Sequence, residues 1–189
     1  MKHPRNRELF DYWNERRGSR AAPERIDIEP GAIRSLLGDS FVLSCVDGKD
    51  AQFRVAGTRL CALFGRELRG QTFSTIWDDE SAADLRDLLT IVMEDVTGIA
   101  AGARTGIAGE LSCNVELLVL PLAHRGRLGA RMLGALAALE RPYWLGIWPA
   151  EPLRLATVQY VPGPAAMAPR PTRADVWRSL TVIDGGQGR

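Results

Sequence analysis

Apolar positions recur at helical spacing from Arg5 to Arg17, where Leu9, Phe10 and Trp13 share one face with Tyr12 beside them and charged residues elsewhere. The pattern predicts an amphipathic helix stopped at Gly18. Pro23 and Pro30 frame an extended piece, and Pro30 sits where a short helix through Leu37 would start. Ser40 to Val46 is rich in strand-forming residues, Asp47-Gly48 is a turn signal, and Ala51 to Ala56 alternates, so a hairpin is predicted. GTRLCALFG, Gly57 to Gly65, reads as a helical turn, and the next stretch hangs short irregular pieces on Leu68, Phe73, Ile76 and Trp77. Asp78 to Ser81 offers N-cap residues for one long helix, near Ser81 to Val96, in which Leu85, Leu88, Leu89, Val92, Met93 and Val96 recur at helical spacing.

After Gly98 the period changes from 3.6 to 2. Ile99 to Ile107 is a weak, Gly- and Ala-rich strand, Ser112 to Leu122 a strong one, and Ala130 to Leu139 a long one with small residues; His124 to Arg127 is the turn between the last two. Past Pro149 the regular pattern fades. LRLATVQYV reads either as one more strand or as an arm, Pro162 to Arg173 as a Pro-rich linker, and Leu180 to Ile183 as a short apolar run that docks or stays loose. The division is therefore a domain over residues 5–150, with a C-terminal arm and Pro-rich tail over 151–189.

Composition narrows the class. With 46% hydrophobic and 25% charged residues in 189, the chain is a globular protein with room for one domain and its extensions. A net charge of +1, with only Lys2 and Lys49 as lysines among the basic residues, gives no footprint for nucleic acid. Cys45, Cys61 and Cys113 show no paired spacing, which argues against a zinc site or disulfide framework. No leader-like or membrane-length apolar run occurs, so the cytoplasm is the expected compartment and no membrane partner is expected.

Two strands, short helices leading to one long helix, then three antiparallel strands is the element order of the PAS fold. The residues sharpen the match: Trp13 on the first helix, the run Arg54 to Thr58 with Gly57, and Phe64-Gly65, Glu67-Leu68, Gly70, Phe73 and Trp77. In these the chain resembles a compact PAS family found mainly in alphaproteobacteria, over about residues 5 to 150. The resemblance implies an α+β fold, a five-stranded antiparallel sheet with helices on one face and an N-terminal amphipathic helix. It also implies a pocket between sheet and helices, for which Cys61, Phe64, Trp77, Met93, Val119 and Gly134 are the candidate lining. No effector sequence follows residue 150, which sets the expectation of action through a partner or through oligomerisation.

Among PAS cofactors, haem needs a helical histidine, whereas the histidines here are His3, near the start, and His124, in a predicted turn. A photoactive flavin needs a cysteine in the stretch RGQTFSTIW, which has none; non-covalent flavin stays open, and no cofactor is assigned. Catalytic motifs are missing: no P-loop, GxSxG or HExxH occurs, and GIAAGARTG follows a helix rather than a strand. Asp78-Asp79-Glu80, Asp84, Asp87 and Glu94-Asp95 fit helix capping and solvation better than a metal site. Cys61 reads as a small buried hydrophobe. Trp77 and Trp144 read as core. Leu9, Phe10 and Trp13 form an apolar stripe that must be covered, by the chain's own sheet or by a second copy. The leading expectation is a non-catalytic sensory or regulatory domain that binds a small ligand or a signalling partner and forms a homodimer through this stripe. A ligand-free adaptor with a filled core is the alternative, and an enzyme of unrecognised type the second.

Overall fold

Sixteen residues of helix crossing a sheet that is apolar on both sides fix the architecture. The computed structural model describes residues 1–45, 50–107 and 111–161. In chain order it has α1 (Pro4–Arg17), β1 (Ser40–Ser44), β2 (Gln52–Ala56), α2 (Thr58–Leu63), α3 (Asp79–Glu94), β3 (Gly98–Ile107), β4 (Leu111–His124), β5 (Arg127–Ala138) and β6 (Arg154–Val161). The sheet is antiparallel throughout and has six strands in the order β2-β1-β5-β4-β3-β6, one more than expected. The added strand is LRLATVQYV, which pairs with β3 from Gly98↔Val161 to Arg104↔Arg154, so residues 154–161 complete the sheet rather than forming an arm. The Asp47-Gly48 turn, the Pro-rich segment, Trp177 and the Leu180 to Ile183 run lie outside the described residues.

The long helix starts where its cap signal stands: the Asp78 carboxylate accepts from the Ser81 amide at 3.0 Å, and Asp79 and Glu80 occupy the positive end of the helix. It stops at Glu94, two residues short of Val96, which turns out of the helix at φ 50. Between β4 and β5 the two-residue turn Arg125–Gly126 has positive φ at both positions, which matches the twist of the flanking strands. The short helix expected through Leu37 is instead a run of turns held by Ile33 and Leu36 carbonyls, with Ile33 and Leu36 buried.

Helices lie on both faces of the sheet, which corrects the one-face expectation. Odd positions of β4, Val115, Leu117 and Val119, face α2, α3 and the aromatic cluster; Leu118, Leu120 and Leu122 face α1 and the turns after it. β1 and β5 divide the same way, Phe41, Leu43, Met132 and Leu136 on one side and Val42, Leu133 and Ala135 on the other. α1 docks through Leu9 and Trp13, both fully buried, and the Trp13 indole donates to the Pro121 carbonyl on β4 at 2.8 Å. A large ring that buries its body and pairs its one N–H is a strong anchor.

Candidate functional site

The predicted pocket residues converge only in part. Val119, Trp77 and Phe64 are buried in the layer between sheet and helices. Met93 and Cys61 pack on its edge, partly exposed. Gly134 lies opposite Phe41 in the register of β1 and β5, and the Phe41 ring occupies the space above it: a Cβ at residue 134 would sit 2.2 Å from Phe41 Cζ. From Phe41 a chain of rings continues through Phe53 and Phe73 to Trp77, with successive centroids 5.5–5.8 Å apart. Glycine at 134 thus admits a phenyl ring of the chain itself. Two indole nitrogens in this layer, Trp77 Nε1 and Trp144 Nε1, are buried without an acceptor among the described residues.

Nothing here activates a thiol. Cys61 Sγ lies 3.6 Å from a Glu67 carboxylate oxygen, and burial together with that neighbouring charge raises its pKa. Cys113 is pushed up to about 11 by burial and by Glu140, and burial with Asp50 nearby raises Cys45. All three thiols are therefore protonated at neutral pH, the opposite of a reactive cysteine.

The charged constellation lies at one end of the sheet, where the chain enters β1. Asp39, whose side chain is 10% exposed, receives both Nε and an Nη of Arg59 at 2.7 Å and a third bond from Arg5. Arg5 comes from α1 and Arg59 from α2, so one carboxylate joins the layers on opposite faces of the sheet; its carbonyl also accepts from Leu136 on β5 at 3.0 Å. Burial alone would raise the Asp39 pKa, but the bonds from Arg59 and Arg5 outweigh it and hold the carboxyl below its ordinary value.

Local sequence builds this junction. The Gly57 amide donates to Ser40 O at 2.8 Å, while Arg59 and Leu60 amides donate to Gly38 O. A Cβ on Gly57 would lie 2.2 Å from Leu37 O and 2.3 Å from Gly38 O, so only glycine lets the start of α2 press against residues 37–38. The resulting approach lays the Arg59 guanidinium over Gly38, within reach of Asp39. This explains the glycine of the Arg54 to Thr58 motif, but the Arg5–Asp39–Arg59 junction itself was invisible: its members lie 34 and 20 residues apart.

The junction opens into a cleft of about 410 Å³ whose charged lining is His3, Arg5, Asp39, Arg59 and Arg141. Burial and Arg5 lower the His3 pKa, while Asp39 and Glu116 oppose them. His3 also caps α1, its Nδ1 accepting from the Arg5 amide at 3.2 Å. A second cavity, about 380 Å³, lies on the α1 side by Glu116, which takes bonds from the Lys2 and His3 amides and from the Asn6 side chain, and so anchors the start of α1.

Of the interface candidates, Leu9 and Trp13 are covered by the chain's own β4 and β5 layer; Phe10 stacks on Trp13 at 6.1 Å and remains half-buried. No described helix is long and apolar enough to cross a membrane.

Comparison with known proteins places this architecture. No curated protein matches the sequence. Among solved structures, the chain is similar to the Rhodobacter sphaeroides LOV protein at 11% identity, covering 61% of this chain and 71% of that one with a TM-score of 0.44. It is also similar to the PAS domain of an HTR-like protein from Haloarcula marismortui at 17% identity, covering 58% and 90%, with a TM-score of 0.43. The family model described as PAS domain matches residues 1–137, most of the described sheet and both helical layers, and the chain belongs to the PAS-domain family.

Proposed function

We propose that this PAS domain is a non-catalytic regulatory module that works through contact with a protein partner, with the space between its sheet and helices filled by its own side chains. The observation that carries the reading is the Phe41 ring seated over Gly134 and continued by Phe53, Phe73 and Trp77. A small ligand seated over Gly134 would have to displace the Phe41 ring, which is buried and packed against Phe53 and Phe73. The three raised thiol pKa values argue against a nucleophilic cysteine. Action in the cytoplasm fits the free state of all three cysteines.

One observation favours a second reading, in which a small molecule does enter: Trp77 Nε1 and Trp144 Nε1 would give it two donors. Native mass spectrometry of freshly purified protein separates the two. The expected spectrum is the polypeptide mass alone; a stoichiometric small molecule that survives transfer would return the function to ligand sensing. The same spectrum reports a homodimer. With Leu9 and Trp13 held by the chain's own sheet, α1 offers a second copy Phe10 and its charged outer face.

A further inference from the structure

Three arginines line the cleft at the α1–α2 junction, and one carboxylate answers them. Asp39 engages Arg5 and Arg59, whereas Arg141 is exposed and has no hydrogen bond or ion pair among the described residues. Arg141 stands close enough to His3 for its charge to act on that imidazole. The cleft therefore carries surplus positive charge at its mouth, although the whole chain has a net charge of only +1. Its other walls are apolar: Leu63 and Leu136 are buried behind it, and Leu145 and Pro142 rise beside it.

The loop that supplies Arg141, Pro142 and Leu145 also carries an exposed apolar patch. Trp144 pins this loop to the core, completely buried, while Tyr143 is 69%, Ile147 69% and Trp148 50% exposed. Tyr143 and Trp148 pack edge to face at 6.0 Å, so the patch is ordered by its own contacts. Large aromatic side chains with an arginine beside them are the composition of interface anchor points.

We infer that the cleft and the adjoining 142–149 loop form a docking site for an acidic segment of a partner protein that also carries apolar side chains, with a partner carboxylate on Arg141 and the apolar side chains against Leu145, Ile147 and Trp148. The inference rests on the protein-contact reading above and names the partner's chemistry. Charge complementarity selects an anion, since Arg141 is the cleft guanidinium that has no ion pair among the described residues. A free small anion would satisfy Arg141 and leave Tyr143, Ile147 and Trp148 uncovered; a peptide covers both. Single-stranded nucleic acid is disfavoured because two of the three arginines, Arg5 and Arg59, are already paired with Asp39 instead of being free to track a phosphate backbone.

The test is a nitrogen-15 NMR titration of the full chain with a capped Gly-Ser peptide bearing a central Leu-Glu-Glu-Leu, run beside its Leu-Gln-Gln-Leu counterpart, citrate and oligouridylate. The expected result is saturable shifts of the Arg141 side-chain Nε–H and of amides in α2 and residues 142–148, with the glutamine peptide at least about tenfold weaker. Arg141→Glu, at an exposed side chain with no partner, should weaken the glutamate peptide by about tenfold or more with the spectrum otherwise unchanged. Ile147→Ser with Trp148→Ser should weaken the peptide and spare citrate. The proposal is overturned by no shifts at millimolar peptide, by equal binding of both peptides, by indifference to Arg141→Glu, by citrate binding as tightly as the peptide, or by oligouridylate binding more tightly. A native mass spectrum of the same sample keeps the two readings apart: a retained small molecule defeats the filled-core reading, whereas a ligand-free spectrum with a flat titration defeats only the cleft assignment.

Discussion

Asp39 is ionised in a site that its arginines create, so its protonation is linked to folding. Its folded-state pKa lies below the unfolded value of about 3.9. A depressed carboxyl contributes its full stabilisation above the unfolded pKa and loses it as pH falls through the folded one. Asp39→Asn should therefore lower stability at pH 7 by about 1–3 kcal/mol and flatten the acid limb below about pH 5. Urea midpoints measured against pH in both proteins check this, and parallel acid limbs would remove Asp39 from the account. Gly134→Ala tests the other close approach. Its Cβ would fall 2.2 Å from the Phe41 ring and 2.6 Å from Leu118 O; the ring can move but the β4 backbone cannot. Overpacking of this kind costs about 1–3 kcal/mol, read as a lower urea midpoint with an unchanged slope. Gly134 was legible from sequence as a small residue on a strand. What fills the space was not, because Phe41 reaches it only through the β1–β5 pairing of residues more than ninety apart.

At the level of elements, the turn at Arg125–Gly126, the cap at Asp78 and the long helix stand where local signals put them, since each depends on neighbours in sequence. The layer assignment does not. Leu117 to Leu122 reads LLVLPL, an uninterrupted apolar run rather than a strict alternation, and such a run marks a strand buried on both faces. That was the signal for a second helical layer, and α1 with the 28–36 turns is that layer. The burial divides the α1 stripe into unequal parts. Trp13→Ala should cost about 3–5 kcal/mol, since it removes a fully buried ring and leaves the Pro121 carbonyl without its donor. Phe10→Ser should cost about 1 kcal/mol or less, as expected for a side chain at the rim. Chemical denaturation of the two variants gives the comparison; equal losses would mean that Phe10 is covered by a partner in solution, which light scattering of the same samples would reveal as a dimer.

Across the whole molecule, β6 is the element whose place local pattern left open, because this edge strand is exposed at most positions on both faces and its apolar residues, Leu155, Ala156, Val158, Tyr160 and Val161, follow no strict alternation. Its importance comes from where it begins. Leu153 is completely buried in the core below α3, its amide donates to Ile76 O at 2.9 Å, and its carbonyl accepts from the Asp78 amide at 3.0 Å. Two residues on, the Leu155 amide donates to Ser81 Oγ at 2.8 Å. The strand thus ties the first turn of the long helix to the sheet, and Arg154 reaches the capping Asp78 at 3.4 Å. Compared with a chain ending at residue 161, one ending at residue 150 gives up this clamp, the Leu153 side chain and the whole β3–β6 ladder. Losing a fully buried leucine alone costs about 2–5 kcal/mol, and each kcal/mol corresponds to about 2–4 °C in a protein of this size. The shorter chain should therefore melt at least about 5 °C lower, with the α3 N-terminal amides the first to lose hydrogen-exchange protection. Equal melting temperatures with unchanged protection at Ser81 and Ala82 would mean that the domain closes at β3 and that β6 is an accessory edge.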